Sequence, residues 1–169
     1  MAIITCNDYD YYNPFIPNYW GKVDANLNGN VWHAVPYCRR SSWDHSRMTI
    51  SMDRRNSYGE LRESLDIFNV PKLEGSHKIT ATTSSPKPTE IGALLSTLLD
   101  DGDVFGDLFR YDSTLGSSFI QIIKWDSING LICGSFDINL LRSNLNRPNL
   151  DYKDTLNISG DFLTKLDSI

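Results

Sequence analysis

Two short runs near the carboxy end constrain this chain more than anything else in it. Ile132, Gly134, Phe136, Ile138 and Leu140 occupy every second position of the first. Leu156, Ile158, Gly160, Phe162 and Leu166 do so in the second, with Thr164 filling the gap. A period of two belongs to a strand with one buried face. Each run carries Gly-x-Phe at its centre. If the two lie antiparallel and adjacent, a single register sets Gly134 against Phe162 and Phe136 against Gly160. Each ring then covers the bare backbone of the facing glycine, which offsets the cost of a glycine inside a strand.

Shorter versions of the same pattern recur upstream. Val23, Ala25 and Leu27 alternate, Asn28-Gly29 follows, and a second run extends from Val31 to Val35. Asn-Gly between alternating runs signals a tight hairpin, because both residues tolerate positive φ. Trp32 is expected to be at least half buried, and Pro36 to end or edge its strand. Residues 37 to 46 read as a polar loop. Met48, Ile50 and Met52 mark a third strand, and Ser64 to Val70 a fourth, with a helical turn over Tyr58 to Glu63 as an alternative. His77, Ile79, Ala81 and Thr83 mark a weak fifth strand. Residues 91 to 99 read as strand, or as one helical turn leading into strand.

An Asp100-Asp101-Gly102 turn then leads to Val104–Asp112, where Phe105, Phe109 and Tyr111 share a face. Phe119 to Trp125 follows, with Ile120 and Ile122 on one side and Phe119, Ile123 and Trp125 on the other. Asn129-Gly130 turns that strand into the Leu131 run, and Arg142 to Asp154 reads as a longer polar loop. About eight to ten short strands and no long helix make the chain all-β and mostly antiparallel. An antiparallel two-layer β-sandwich is the leading architecture. A closed antiparallel, lipocalin-like β-barrel is the alternative.

The 169 residues suffice for one domain with a core and a tail. Residues 1–19, which contain Pro14 and Pro17 and show no period, read as an N-terminal tether, and 20–169 as a single β-domain. A net charge of -5 opposes a nucleic-acid partner, which selects a basic patch. No apolar run is long enough to span a bilayer as a helix. Three cysteines are too few for a disulfide scaffold.

The usual catalytic patterns are missing from the sequence: no phosphate-cradling glycine loop, zinc-type cysteine pair, His-Glu-x-x-His or nucleophile elbow. No catalytic residue, metal set or cofactor is assigned. His33, His45 and His77 lie far apart. Asp44 and His45 are adjacent, and in extended chain adjacent side chains point to opposite faces. Asp100, Asp101, Asp103 and Asp107 offer carboxylates but lack the spacing of a calcium loop, and read as an acidic turn. Trp20, Trp32, Trp43, Trp125 and eight tyrosines supply core volume, and any left on a surface suit sugars, peptides or partner proteins. Tyr9, Tyr11, Tyr12, Phe15 and Tyr19 put aromatic rings in the tether, to pack back on the domain or meet a partner.

The segments IKWDSINGLICGSFDINLL and DTLNISGDFLTKL resemble small lipoproteins of Bacteroidetes cell envelopes, and KVDANLNGNVWHA resembles their opening hairpin. Gly134, Phe136, Gly160 and Phe162 carry the resemblance, which implies a fold and an address but no activity. The implied address is the cell envelope, as a periplasmic protein or outer-membrane lipoprotein; the cytoplasm is the alternative. Ile3-Ile4-Thr5-Cys6 is a weak match to a lipobox, which makes Cys6 the candidate lipid-attachment residue and the sole route to a membrane. With Cys6 so occupied in an oxidising compartment, Cys38 and Cys133 are left either to pair or to remain two unpaired thiols.

These readings favour a non-enzymatic binding or scaffolding module whose partner is a glycan, a peptide or another envelope protein. One alternative is a carrier of a small hydrophobic ligand, marked by an apolar cavity inside a closed barrel. The other is a hydrolase with a loop-built site in which Asp44, His45 or another acid converge.

Overall fold

The computed structural model describes residues 20–42, 44–82, 87–99, 104–143 and 152–167. Its strands are β1 (Gly21–Leu27), β2 (Asn30–Arg40), β3 (Arg47–Arg55), β4 (Leu61–Pro71), β5 (Gly75–Lys78), β6 (Gly92–Leu98), β7 (Phe105–Tyr111), β8 (Phe119–Asp126), β9 (Leu131–Ser143) and β10 (Thr155–Lys165). The order β10-β1-β2-β3-β4-β6-β7-β9 returns to β10 through a β9–β10 pairing, so eight antiparallel strands close into a barrel. This corrects the two-layer sandwich and matches its alternative. The first and last strands pair, with Gly21 opposite Thr164 and Leu27 opposite Ile158, so the sheet shuts on itself.

β9 shares one of its edges between two neighbours. Its carboxy end pairs with β7 at Leu140–Ser143, and residues 131–137 pair with β8. β5 then pairs with β8. The β6–β7 hairpin therefore builds the wall at one end of the barrel, and β8 with β5 extends it at the other.

The β9–β10 register is the expected one, with Gly134 opposite Phe162 and Phe136 opposite Gly160. A Cβ added at Gly134 would lie 2.8 Å from Cζ of Phe162, so this ring does cover the glycine. The same Cβ would collide with the Gln121 carbonyl oxygen on β8. At Gly160 the open side is filled differently: a Cβ would collide with Ala25 and the Asp24 carbonyl oxygen on β1. The two glycines thus let a third strand approach β9 and β10 from the side. Close approach at glycines is one way a sheet curls tightly enough to close.

The barrel axis is filled. Trp32, Met48, Met52, Phe109 and Phe162 are each 0–1 % exposed, and Leu65, Ile67, Ile138 and Ile158 surround them. Asn28 and Gly29 form the β1–β2 turn at positive φ, and Trp32 is buried as its size demands.

Local expectations differ from the structure where strands run on. β2 continues past Pro36 to Arg40, shortening the expected loop. Pro36 lies at the start of the β1 ladder, where its carbonyl still accepts from Trp20 N at 3.2 Å. β4 begins at Leu61 without a helical turn, and residues 92–98 are strand. β5 is shorter and earlier than expected, and Ala81 makes only an isolated bridge to Gly92. A register shift between Ile122 and Lys124 rotates the end of β8. Trp125 consequently packs on the core while Ile123 is 54 % exposed, although an unbroken alternation puts them on one face. Phe105 does not share the face of Phe109 and Tyr111: a register shift between Ser96 and Leu98 sets it opposite Leu98 rather than in the phase of Leu95 and Phe109, and it is 69 % exposed. The tether 1–19, Trp43 and Asp100 to Asp103 lie outside the described residues.

Candidate functional site

Ionisable chemistry concentrates at the barrel end where β1 turns into β2. The β3–β4 register sets Arg54 opposite Glu63. Glu63 shares its strand face with Leu65 and Ile67 and is 1 % exposed. It accepts hydrogen bonds from Nε1 of Trp32, from the Tyr152 hydroxyl and, at 3.0 Å, from Nη1 of Arg54. Both carboxylate oxygens are therefore engaged, which meets the condition for keeping such a group buried.

A second pair lies beside it. Asp107, in the phase of Phe109 and Tyr111, has a wholly buried side chain 2.9 Å from Nη1 of Arg142. Its backbone N–H donates to Thr97 Oγ1 at 2.7 Å. The Arg142 guanidinium lies 5.3 Å from the Phe109 ring centre, donates to the Tyr152 carbonyl, and reaches Asp154 at 3.2 Å. Phe109 and Tyr152 rings meet at 6.0 Å, so the two clusters are continuous. A pocket of about 320 Å³ opens at this mouth, lined by Asn30, Trp32, Arg54, Glu63, Tyr152 and Lys153 among others. At the opposite end the interior is apolar, with Cys38, Met48, Val70, Ile132 and Leu166 buried.

A larger cavity, of about 850 Å³, is a groove that runs over β1, β2 and β3 beneath the β3–β4 turn. Lys22, Asp24, His33, Val35, Arg55 and Tyr58 line it. Asp24 and His33 face each other across the β1–β2 ladder, with Nδ1 of His33 2.9 Å from Oδ1 of Asp24. Tyr58 is 88 % exposed. Its turn is held by Asn56, whose Oδ1 accepts from the N–H groups of Tyr58 and Glu60 at 3.0 and 2.9 Å. Arg55 braces the rim, donating to the Gly59 carbonyl and pairing with Asp53 at 3.2 Å.

The residues singled out from sequence do not form one site. Asp44 accepts from the Ser46 hydroxyl and N–H, which hold its carboxyl below the usual range. His45 contributes its carbonyl to Nζ of Lys72, and a ring nitrogen of His77 lies 2.8 Å from the Leu73 carbonyl. Asp44 is thus engaged within its own loop, and His77 lies on β5. Asp107 is the internal ion-pair partner of Arg142 rather than part of an acidic turn, and Asp100, Asp101 and Asp103 lie outside the described residues. Among the described residues no group of three His, Cys, Asp or Glu side chains is placed to hold a metal.

Neither alternative for Cys38 and Cys133 holds: they do not pair with each other, and they are not two unpaired thiols. Cys38 is a free, buried thiol, and Cys133 is disulfide-bonded. The reason is geometric. Cys38 points into the barrel in the phase of Trp32 and Ala34, whereas Cys133 lies out of phase with Ile132 and Gly134, on the outer wall beside Lys124 and Leu163. Thiols on opposite faces of one wall cannot approach to bonding distance. Cys6 lies outside the described residues.

Glu63, Tyr152, Arg142 and the Asp24–His33 pair were not singled out by sequence reasoning. The signal for two of them is a charge on an apolar phase: Glu63 precedes Leu65 and Ile67 at the strand spacing, and Arg142 follows Ile138 and Leu140. Compared with protein-family models, curated proteins and solved structures, the chain matches none.

Proposed function

We propose that this protein is a non-enzymatic binding module of the cell envelope that takes a glycan in its outer groove. The observation that carries the reading is the position of the groove, on the outer wall of a barrel whose axis is filled by the protein's own side chains. The exposed Tyr58 ring offers a platform for a sugar face, and Asp24 and His33 offer hydrogen-bonding groups beside it. An envelope address is supported by the likeness to lipoproteins and by the disulfide at Cys133, since disulfides persist in oxidising compartments.

Closure of the barrel favours a hydrophobic-ligand carrier as the second reading. The packed Trp32, Phe109 and Phe162 weigh against it, because they occupy the volume a carrier leaves empty. A glycan array probed with the full chain tests the first reading. At least one glycan class should be retained, and Tyr58→Ala and Asp24→Asn should each weaken it tenfold or more. Silence across the array, or binding indifferent to both substitutions, overturns the proposal.

A further inference from the structure

We propose that the pocket at the barrel mouth is a second, separate site, which takes a small oxyanion, a carboxylate or a phosphate. Most polar side chains that line it are already engaged with one another. The Glu63 and Asn28 acceptors are engaged: both Glu63 oxygens take donors, and Asn28 uses its side-chain oxygen on Asn157 N at 2.8 Å. The Trp32 indole N–H and the Tyr152 hydroxyl are likewise committed to Glu63.

What remains is mostly cationic donors. Arg54 gives Nη1 to Glu63, and among the described residues its Nε and Nη2 have no partner. Its side chain is 50 % exposed, so these nitrogens are reachable from solvent. Lys153 is exposed and unpaired among the described residues, and so is the side-chain amide of Asn30. Of the nearby acids, Asp107 is wholly buried against Arg142, and Asp154 gives one oxygen to the same guanidinium while staying largely exposed.

Arg54 and Lys153 face one carboxylate in the lining itself, while the Arg142 cluster behind it sets one cation against two carboxylates, so what favours an anion is the open donor edge of Arg54 with Lys153 on the same pocket. A ligand that completes this site must bring acceptor atoms and negative charge. Glu63 acts as the positioning residue: by holding one nitrogen of Arg54 it orients the guanidinium plane, so the remaining edge meets an anion as a preformed fork. The volume of about 320 Å³ limits the occupant to a small molecule or a single acidic group.

The test is a ¹⁵N NMR titration of the full chain with acetate and, separately, with inorganic phosphate, at constant ionic strength against chloride. The reporter is the Trp32 indole N–H, hydrogen-bonded to the residue that holds Arg54. A saturable shift with one anion and not with chloride is expected, and the anion that gives it identifies the source. Arg54→Gln should weaken the response tenfold or more, and Arg54→Lys, which keeps charge but loses the fork, by less. Lys153→Gln should weaken it several-fold; being exposed, it keeps the test decisive if Arg54→Gln disturbs folding. Tyr58→Ala should leave it unchanged. Shifts that do not saturate with either anion, or that match chloride, overturn the proposal, as does saturable binding indifferent to Lys153→Gln and to whichever Arg54 variants fold.

Discussion

Arg142 and Asp107 meet at 2.9 Å inside the barrel mouth, joining β9 to β7 where the two strands begin to pair. Phe109 is directly opposite Arg142 in register, so the guanidinium covers that ring and reaches diagonally to the carboxylate. The Asp107 side chain has no exposure and that of Arg142 only 12 %. Two charges this deep hold one another in place, and removing either leaves the other with its desolvation uncompensated in part.

Asp107→Ala or Arg142→Ala alone should therefore destabilise the fold by about 3–5 kcal/mol. Removing both should cost clearly less than the sum, because no orphaned charge is left behind. Urea unfolding of the two single variants and the double variant measures the coupling. Additivity within about 0.5 kcal/mol would show that the pair is not a unit.

Gly160→Ala should destabilise by about 1–3 kcal/mol, because the new methyl group meets backbone and not a side chain that can swing away. Adding Ala25→Gly should restore part of the loss, since Ala25 is one of the two groups struck while the Asp24 carbonyl remains. Thermal unfolding of the three variants reads this directly. Wild-type stability in Gly160→Ala would mean that β1 does not approach β10 so closely.

Burial pushes the Cys38 thiol up to about 12, with Lys72 pulling weakly the other way. The thiolate is the reactive species, so at pH 8 this cysteine is protonated and inert as well as shielded. Iodoacetamide should fail to label it in the folded protein and label it promptly in urea, as read by intact mass. Fast labelling under native conditions would place the thiol at the surface.

The sequence made the β9–β10 register legible because glycine and phenylalanine alternate there in a way that only one alignment satisfies. The β1–β2 turn was equally plain from Asn28-Gly29. Closure was not. A period of two tells which face of a strand turns inward, but an inner face looks the same whether it meets a second sheet or the far wall of a barrel. What decides is the contact of Gly21 with Thr164, and no local pattern announces a pairing between the two ends of a domain. The mouth pocket was obscured for a different reason. Glu63 reads as the end of a helical turn and Arg142 as the start of a polar loop, because a charge on an apolar phase looks like the end of a strand until its partner is seen. The outer groove had only the exposed Tyr58 turn to announce it, and turns of that composition are common.

The pairing of β1 with β10 also bears on how the protein behaves in company. In an open sheet those strands would each present a row of unsatisfied amides and carbonyls to any passing extended chain. Here each satisfies the other, and the sheet runs out instead at β5, four residues long and opening on a glycine. So brief a ledge gives a foreign strand little to grip.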